Sequence, residues 1–336
     1  MSDLVSIIVR VYNVKPYLVQ CLNSLKQQTY KDLQILIVDD GSTDGCSEIC
    51  DEYAVKDSRF EVYHLKNGGQ ATARNYALER TRGQWVGFVD GDDWIAAEMV
   101  EQMLMAAREA DADMAVCGVV YAYRDGHRDI PVTSEYKILE NKDASMEVCF
   151  GGNQLRQNIW NKLVRRKCIE EQIPPEWQSH QDMVFLTRFL LNVNRIVLLD
   201  RNLYYYRQQV NSTVHVFTMR NSYNRWRSIL EKYRLVSAEF PKYRAVLVKE
   251  CFWAAVLMWR DTDLNPGKRK QYQRIFSEVS QFAREHYHEM RGSLMERASA
   301  WCVQFDRQWS FALIHFVFWV KRKAGRSNDR RFQLFD

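Results

Sequence analysis

Short apolar runs alternate with helical patterns over the first 110 residues of the chain. Each run is rich in β-branched residues and stops abruptly at polar residues, which is typical of buried parallel strands. Ser42, Thr43 or Asp44 can cap the second helix. The predicted strands cover residues 4–9, 33–38, 60–65 and 85–90, and the predicted helices cover residues 17–28, a segment that ends near residue 56, and residues 71–80.

This alternation predicts an α/β fold with right-handed crossovers and an open, mostly parallel sheet. Ligands of such sheets bind beyond the carboxyl ends of the strands. Asp39 and Asp40 follow one predicted strand and Asp90 ends another, so we expect acidic residues at that edge. The sequence has neither G-x-G-x-x-G after the first strand nor G-x-x-x-x-G-K-[ST], which disfavours dinucleotide-binding and P-loop NTPase functions. Phosphates would then be held mostly by a metal.

Three carboxylates, those of Asp90, Asp92 and Asp93, surround Gly91 at the end of the fourth predicted strand. Close carboxylates repel one another, and a hard divalent cation such as Mg2+ or Mn2+ neutralises such a group. These cations keep few protein carboxylates and take further oxygens from phosphates and water. The pattern therefore predicts a metal with a nucleotide diphosphate, and hence a transferase. The alternative is a surface turn, because Asp and Gly are common in turns and helix caps.

Four motifs follow one another in the first part of the chain: VSIIVRVYN at residues 5–13, VDDGSTD at 38–44, NGGQATARN at 67–75 and FVDGDDW at 88–94. In order and in spacing they resemble the successive motifs of family 2 glycosyltransferases with the GT-A fold. The resemblance covers roughly the first 215 residues. It implies a GT-A catalytic domain that transfers a sugar from a nucleotide diphosphate, usually UDP, with inversion at the anomeric carbon.

The same resemblance implies which residues hold the nucleotide and the metal. Asp40 would accept a hydrogen bond from the uracil ring N–H, and Arg74 would offer its guanidinium to phosphate oxygens. Asp90 to Asp92 matches the family's D-x-D motif, with Asp92 as the direct metal ligand and Asp90 beside it. A surface arginine at position 74 and a simple glycine turn before it are the structural alternatives. The implied nucleotide-binding residues are Val11, Tyr12, Asp40, Gly68, Gly69, Arg74, Asp90 and Gly91.

The family also places a Glu-Asp pair before an apolar helix, and the matching pair here is Gln181 and Asp182. The resemblance implies that Asp182 is the catalytic base, which removes the proton of the acceptor hydroxyl in a one-step displacement. Gln181 replaces the usual glutamate and removes one negative charge beside the base, and we expect activity to survive. The alternative for Asp182 is a carboxylate that only stabilises the helix N-terminus.

Three further positions each have two open interpretations. Lys162 lies in a stretch that resembles the family's W-x-K-L-Y-R-R and would approach the diphosphate, or it is an exposed helical lysine. His215 stands where some relatives bring a histidine to the metal, or it is a solvated loop residue. Arg10 stands where the family commonly has a proline, and it either contacts phosphate or points into solvent.

The length of 336 residues and the hydrophobic content of 46% predict a large core and two domains. We expect a catalytic domain at residues 1–218 and a helical region at residues 219–336. The sequence starts without a basic-then-apolar leader, so a cytoplasmic protein is expected. The eight cysteines show no C-x-x-C spacing and are expected to be reduced, packed thiols.

Residues 221–336 contain 22 Lys and Arg against 12 Asp and Glu, together with many aromatic residues. An anionic membrane surface explains both features, whereas no nucleic-acid-binding motif accompanies the charge, so no nucleic acid partner is expected. The apolar stretch at residues 309–320 is too short to span a bilayer and is expected to lie in the headgroup region. The alternative is a helix that packs against the catalytic domain or a second subunit of a homo-oligomer.

The family resemblance, together with the basic and aromatic C-terminal region, implies an inverting, metal-dependent transferase at the inner face of the cell membrane. It would move a hexose or N-acetylhexosamine from a UDP-sugar donor to a saccharide acceptor linked to a lipid diphosphate, in bacterial capsule, exopolysaccharide or O-antigen assembly. The first alternative is a non-catalytic, nucleotide-sugar-binding scaffold subunit of a synthase, which Gln181 supports. The second is a peripheral basic protein that binds membrane or nucleic acid.

Overall fold

The computed structural model describes most of the chain as two compact units. Described residues up to 209 belong to the first unit, and those from 219 belong to the second. The described residues are 3–131, 133, 135–147, 150, 158–169, 180–209, 219–261, 270, 272–305, 309–310, 312–314 and 316.

Strands and helices alternate from Val5 to Asp90 in the first unit, as the sequence predicts. The strands are β1 (Val5–Val11), β2 (Leu33–Asp39), β3 (Phe60–His64), β4 (Trp85–Asp90), β5 (Trp94–Ile95), β6 (Met114–Tyr123), β7 (Gly126–Ile130), β8 (Lys137–Leu139), β9 (Lys162–Arg165) and β10 (Ile196–Arg207). The helices are α1 (Lys15–Lys26), α2 (Cys46–Lys56), α3 (Gln70–Leu78), α4 (Met99–Glu109), α5 (Lys142–Met146) and α6 (Gln181–Asn192).

One mixed sheet organises this unit, and its main path runs β3-β2-β1-β4-β9-β6-β10-β5, with β7 beside β6 and β8 beside β10. Strands β3, β2, β1 and β4 are parallel to one another, and β6 is parallel to β10. β9 is antiparallel to both β4 and β6. The predicted mostly parallel sheet of an α/β fold is therefore confirmed.

The parallel strands β1 and β2 are buried on both faces. Every side chain of β2 is buried, and on β1 only Arg10 is partly exposed. Alternate side chains of a strand point to opposite faces, so Ile7 and Val9 face one core, which they share with Leu18 and Leu22 of α1. Burial on both faces explains why these strands are continuous apolar runs in the sequence.

The start of α2 differs from the sequence prediction. Its N-cap residue is Gly45, at a φ of +92°, and not Ser42, Thr43 or Asp44. Glycine adopts this left-handed conformation without steric cost. Asp44 still contributes to the helix start, because its carboxylate accepts a hydrogen bond from the N–H of Cys46 at 3.2 Å.

Strand β9 was not expected from the local pattern. Four residues enter the sheet between β4 and β6, and Lys162 is the first of them. Lys162 is buried, and its Nζ donates to the backbone carbonyl of Asn158 at 2.6 Å and to the side-chain oxygen of Asn161 at 2.8 Å. The interpretation of this residue as an exposed helical lysine is therefore wrong.

The described part of the second unit is helical, as predicted. Its interior is aromatic and includes Trp226, Phe252, Trp259 and Phe276, all fully buried. Buried Lys232 forms an ion pair with Glu250 of the following helix. The helices are α7 (Met219–Glu239), α8 (Arg244–Asp261), α9 (Gln273–His286) and α10 (Leu294–Val303).

Two sequence expectations concern membrane and thiol chemistry. Among the helices that the structure describes, none combines the length and the apolar character needed to cross a bilayer. The apolar stretch at residues 309–320 lies mostly outside the described residues, so its predicted headgroup position stays a prediction. The seven cysteines within the described part of the chain are buried free thiols.

Candidate functional site

The carboxyl ends of β1, β2 and β4 meet at one edge of the sheet. The strand register places Val11 beside Asp39 and Arg10 beside Asp90. Three of the four predicted motifs therefore converge here, as expected for ligands that bind beyond parallel strand ends.

Two loops are joined at this edge, those that follow β1 and β2. The N–H of Asn13 donates to Ser42 Oγ at 3.0 Å, and the Asn13 side-chain oxygen accepts the N–H of Thr43 at 2.8 Å. Asn13 has a φ of +50°, which turns the loop sharply at this point. Tyr12 beside it is 48% exposed, so its ring is available to a ligand, while the Val11 side chain is buried.

Asp40 holds the loop that contains Gly68 and Gly69. Its two carboxylate oxygens accept the N–H of Gly68 at 2.8 Å and the N–H of Gly69 at 2.9 Å. Gly69 has a φ of +86°, which disfavours any residue with a Cβ. Each Asp40 oxygen keeps one lone pair for a further donor, so its contact with uracil stays a prediction.

Asp39 supports the same region, a role that sequence reasoning missed. Its carboxylate accepts hydrogen bonds from the N–H of Ser42, from Ser47 Oγ at 2.6 Å and from His64 Nδ1 at 3.0 Å. Burial raises the pKa of Asp39, but these donors outweigh burial and lower it overall. Asp39 is therefore a charged anchor of the loop that precedes α2.

The three acids at the end of β4 do not face a common point. Asp93 is fully buried, and it accepts the hydroxyl of Tyr204 at 2.7 Å and the N–H of Arg207 at 2.8 Å. These bonds attach the end of β4 to β10. The prediction that three carboxylates bind a cation together is therefore wrong for Asp93, whose carboxylate bonds to groups inside the protein.

Asp90 and Asp92 remain for a cation. Burial, and then the charge of Asp90, raise the pKa of Asp92 to about 6. Burial also raises the pKa of Asp90, and Asp182 adds to this rise against the opposing charge of Arg10. Asp92 accepts one hydrogen bond, from Gln209 Nε2 at 2.8 Å, and Arg207 Nε donates to its backbone carbonyl.

These two carboxylates fit a hard divalent cation of the Mg2+ or Mn2+ type. Their mutual repulsion and burial are the conditions that a cation relieves, and Mg2+ commonly takes only one or two protein carboxylates and completes its shell with phosphate and water. No group of three or more potential ligand residues occurs within the described ranges. His215, the proposed third ligand, lies outside those ranges.

Asp182 occupies the first turn of α6 and forms an ion pair with Arg74 of α3. Arg74 is 4% exposed, its guanidinium carbon lies 4.8 Å from the centre of the Phe185 ring, and its Nη1 has no hydrogen-bond partner among the described residues. The Asp182 side chain is 32% exposed and so remains accessible to a substrate. The alternative of a surface arginine at position 74 is wrong.

Gln181 lies beside this pair and is buried. Its Nε2 contacts Gln70 Oε1 at 3.3 Å. The residue that replaces the family's glutamate therefore packs against the start of α3.

The predicted catalytic and metal-binding acids lie in one electrostatic cluster. The charge of Asp182 acts on Asp90 and on Arg10, and the charge of Asp92 also acts on Arg10. Gly91 allows this close arrangement, because a Cβ at that position would lie 2.9 Å from the Arg10 carbonyl oxygen. The described bonds of Lys162 go to the loop before β9, so its approach to a diphosphate stays a prediction.

Sequence reasoning also missed Tyr204, Arg207 and Gln209, which support the acidic turn from β10. The Tyr204 hydroxyl accepts the N–H of Asp90 at 3.2 Å as well as donating to Asp93. Arg207 packs its guanidinium between the rings of Tyr17 and Trp94. The sequence feature that could have indicated this support is the run of three tyrosines and an arginine at residues 204–207.

Comparisons with known proteins identify the family of this chain. The model of glycosyl transferase family 2 matches residues 6–170. Glycosyltransferase GlyG of Streptococcus pneumoniae is 33% identical over 223 residues, which cover 63% of this chain and 73% of GlyG. The chain belongs to glycosyltransferase family 2. The uncharacterized glycosyltransferase EpsJ of Bacillus subtilis is 33% identical over 221 residues, or 64% of each protein, so the match spans less than two thirds of that relative's length.

A solved structure extends the likeness of fold to nearly the whole chain. S. aureus TarS 1–349 in complex with UDP superposes with a TM-score of 0.71 at 20% identity, and covers 99% of this chain and 94% of TarS 1–349. The same fragment in complex with UDP-GlcNAc gives a TM-score of 0.69, at 20% identity and with 99% and 95% coverage. The predicted GT-A fold of this family 2 glycosyltransferase is thereby confirmed.

Proposed function

We propose that this chain transfers a hexose or N-acetylhexosamine from a UDP-sugar to a hydroxyl of a saccharide acceptor, with inversion at the anomeric carbon. The observation that carries the proposal is a cluster of charges built on two ion pairs, Arg10 with Asp90 and Arg74 with Asp182. The charge of Asp92 acts on the same cluster. Such a cluster would supply positive charge to the departing nucleotide and a carboxylate that accepts the proton of the incoming alcohol.

The nucleoside would bind between the loops after β1 and β2. Exposed Tyr12 offers a ring face, and the loop of Gly68 and Gly69 that Asp40 holds offers close backbone approach. TarS 1–349 has been crystallised in complex with UDP and with UDP-GlcNAc, which supports a uridine nucleotide as the donor for this chain.

Asp90 and Asp92 would hold the divalent cation, Mg2+ or Mn2+. When bound, this cation supplies positive charge that stabilises the diphosphate leaving group. Arg74 adds a permanent cation, and its buried Nη1, which has no hydrogen-bond partner among the described residues, would donate to a ligand oxygen placed against it.

Asp182 would accept the proton of the acceptor hydroxyl as that oxygen attacks the anomeric carbon. Its carboxylate is held by Arg74 and is partly exposed, so it is oriented and accessible at once. General-base catalysis by a positioned carboxylate typically contributes about 100- to 10,000-fold in rate.

The acceptor is proposed to be linked to a lipid diphosphate at the inner face of the cell membrane, in polysaccharide assembly. Several large apolar side chains of the second unit are exposed in a region rich in Lys and Arg, a combination that suits an anionic lipid surface. Those side chains are Val246, Trp253, Leu294, Trp301, Trp309, Leu313 and Phe316.

A donor screen tests the proposal. The purified protein is incubated with UDP-, GDP- and dTDP-sugars in the presence of Mn2+, and released nucleotide is measured. We expect slow release from a UDP-sugar, abolished in Asp182→Asn. Tight UDP binding with no release from any sugar, in the presence of saccharide acceptors as well, would instead favour the non-catalytic scaffold. Absence of UDP binding would overturn the proposal.

A further inference from the structure

Arg10 is a cation built into the acidic edge of the sheet. It is the next-to-last residue of β1, and the parallel register places it directly beside Asp90, the last residue of β4. Its Nη2 lies 3.0 Å from Asp90 Oδ1. Neighbouring side chains in β1 are fully buried, whereas the Arg10 side chain is 23% exposed and therefore reaches the ligand side of the edge.

The charge around Arg10 is strongly negative. Burial alone would lower the pKa of Arg10, but Asp90, Asp182 and Asp92 outweigh burial and raise it. Three carboxylates thus act on one guanidinium. A divalent cation placed against Asp90 would lie close to the Arg10 guanidinium, which already neutralises that carboxylate.

The two arginines of the cluster differ in how they are held. Arg74 is almost completely buried and is fixed against Asp182 and the Phe185 ring. Among the described residues, the Arg10 side chain donates one hydrogen bond, to the partly buried carboxylate of Asp90, and it keeps contact with solvent. A partly exposed arginine beside an acid can exchange that acid for a phosphate oxygen, since both accept the same N–H donors.

We infer that Arg10 is a donor-binding residue that contacts the diphosphate of the nucleotide, which it reaches by leaving Asp90. This inference rests on the proposed function and assigns a specific residue within it. When Arg10 leaves Asp90, that carboxylate becomes available to the divalent cation together with Asp92, and Arg10 carries part of the charge that neutralises the diphosphate. The chain accordingly retains measurable UDP binding when divalent cations are removed.

Calorimetric titration with UDP tests this role in four proteins, each with Mn2+ and with EDTA. The proteins are the native chain, Arg10→Gln, Arg10→Lys and Arg82→Gln. Arg82 is the matched control, because it is an exposed arginine that pairs with Glu61 and precedes β4, at the opposite edge of the sheet. Uridine serves as a second probe, since it lacks phosphate.

In EDTA we expect the native chain and Arg82→Gln to bind UDP equally, and Arg10→Gln to bind it about tenfold or more weakly, the loss of one charge-assisted hydrogen bond. The loss should be smaller with Mn2+, Arg10→Lys should recover part of it, and uridine binding should not change. Equal UDP binding in EDTA by the native chain and Arg10→Gln would overturn the inference, as would an equal loss of uridine binding.

The same titrations separate this inference from the function on which it depends. A native chain that binds UDP with Mn2+ but not detectably with EDTA would refute the role of Arg10 and leave the UDP-dependent function intact. A native chain that binds UDP under neither condition would refute the proposed function itself.

Discussion

Arg74 and Asp182 form an ion pair between α3 and α6, and the guanidinium of the pair is buried while the carboxylate remains accessible. The pair joins two motifs that are separated by more than a hundred residues in the sequence. It holds the proposed base in one orientation, and general-base catalysis requires a carboxylate that is positioned toward the proton it removes.

Replacing the proposed base should abolish transfer without loss of donor binding. Asp182→Asn keeps an oxygen that accepts from Arg74 but cannot take up a proton. We expect kcat to fall about 100- to 10,000-fold, with the UDP dissociation constant unchanged. Steady-state kinetics and calorimetry measure the two quantities. Asp200→Asn, which alters an exposed carboxylate of β10, is the control, and an unchanged kcat in Asp182→Asn would place the base elsewhere.

Removing Arg74 should destabilise the fold as well as the site. Arg74→Met breaks the pair with Asp182 and the contact with Phe185, and we expect a loss of about 1.5–3 kcal/mol in the free energy of unfolding. Arg108→Met removes an exposed pair with Asp3, for which we expect about 0–1 kcal/mol. Urea unfolding of the two variants gives the comparison. Equal losses would show that the buried pair has no special structural role.

Asp92 and Asp93 offer a matched comparison, because they are adjacent and point to different partners. Asp92→Asn should weaken UDP binding in Mn2+ without lowering the free energy of unfolding, because it removes a charge that burial and Asp90 disfavour. Asp93→Asn disturbs the bonds from Tyr204 and from the N–H of Arg207, and should cost about 1–3 kcal/mol in stability. Calorimetry and urea unfolding of both variants test this assignment. It would be wrong if Asp93→Asn reduced metal-dependent binding and Asp92→Asn did not.

Protonation of Glu289 in acid should lower the stability of the second unit. Hydrogen bonds from Arg244, at 2.5 and 3.0 Å, and from His286, at 2.8 Å, lower the pKa of Glu289 to about 2 against the opposing effect of burial. A lowered folded-state pKa stabilises the fold above the ordinary pKa of 4.5, and the contribution disappears as pH falls from there toward 2.

The corresponding measurement compares the native chain with Glu289→Gln in urea at several pH values. We expect the difference in unfolding free energy to be full at pH 7 and to shrink as pH falls below about 4.5. Glu285→Gln, which removes a carboxylate from α9, is the control for a simple change of net charge. A difference that is independent of pH between 7 and 3 would contradict the assignment.

Local pattern predicted the parallel half of the sheet well. Apolar runs such as residues 33–38 carry their own signal, because a strand buried on both faces has no polar alternation. The acids at the strand ends followed from the same argument, since the carboxyl ends of parallel strands share one edge.

The local sequence pattern does not predict which strands pair when they lie far apart in the chain. Nothing in the sequence around Lys162 shows that β9 enters the sheet between β4 and β6, because strand order depends on partners far along the chain. The separate roles of Asp92 and Asp93 depended on Tyr204 and Arg207 for the same reason. Arg10 was undecided until the register placed Asp90 beside it.

The hydroxyl of Tyr204 has a practical meaning for anyone who shortens this chain. It bonds to Asp93 and to the N–H of Asp90, so the final residues of β10 complete the acidic turn from more than a hundred positions away. A fragment cut between residues 95 and 203 would keep all four recognisable motifs and still lose the hydroxyl that supports Asp90 and Asp93. Sequence motifs alone would therefore mislead the choice of a minimal catalytic fragment.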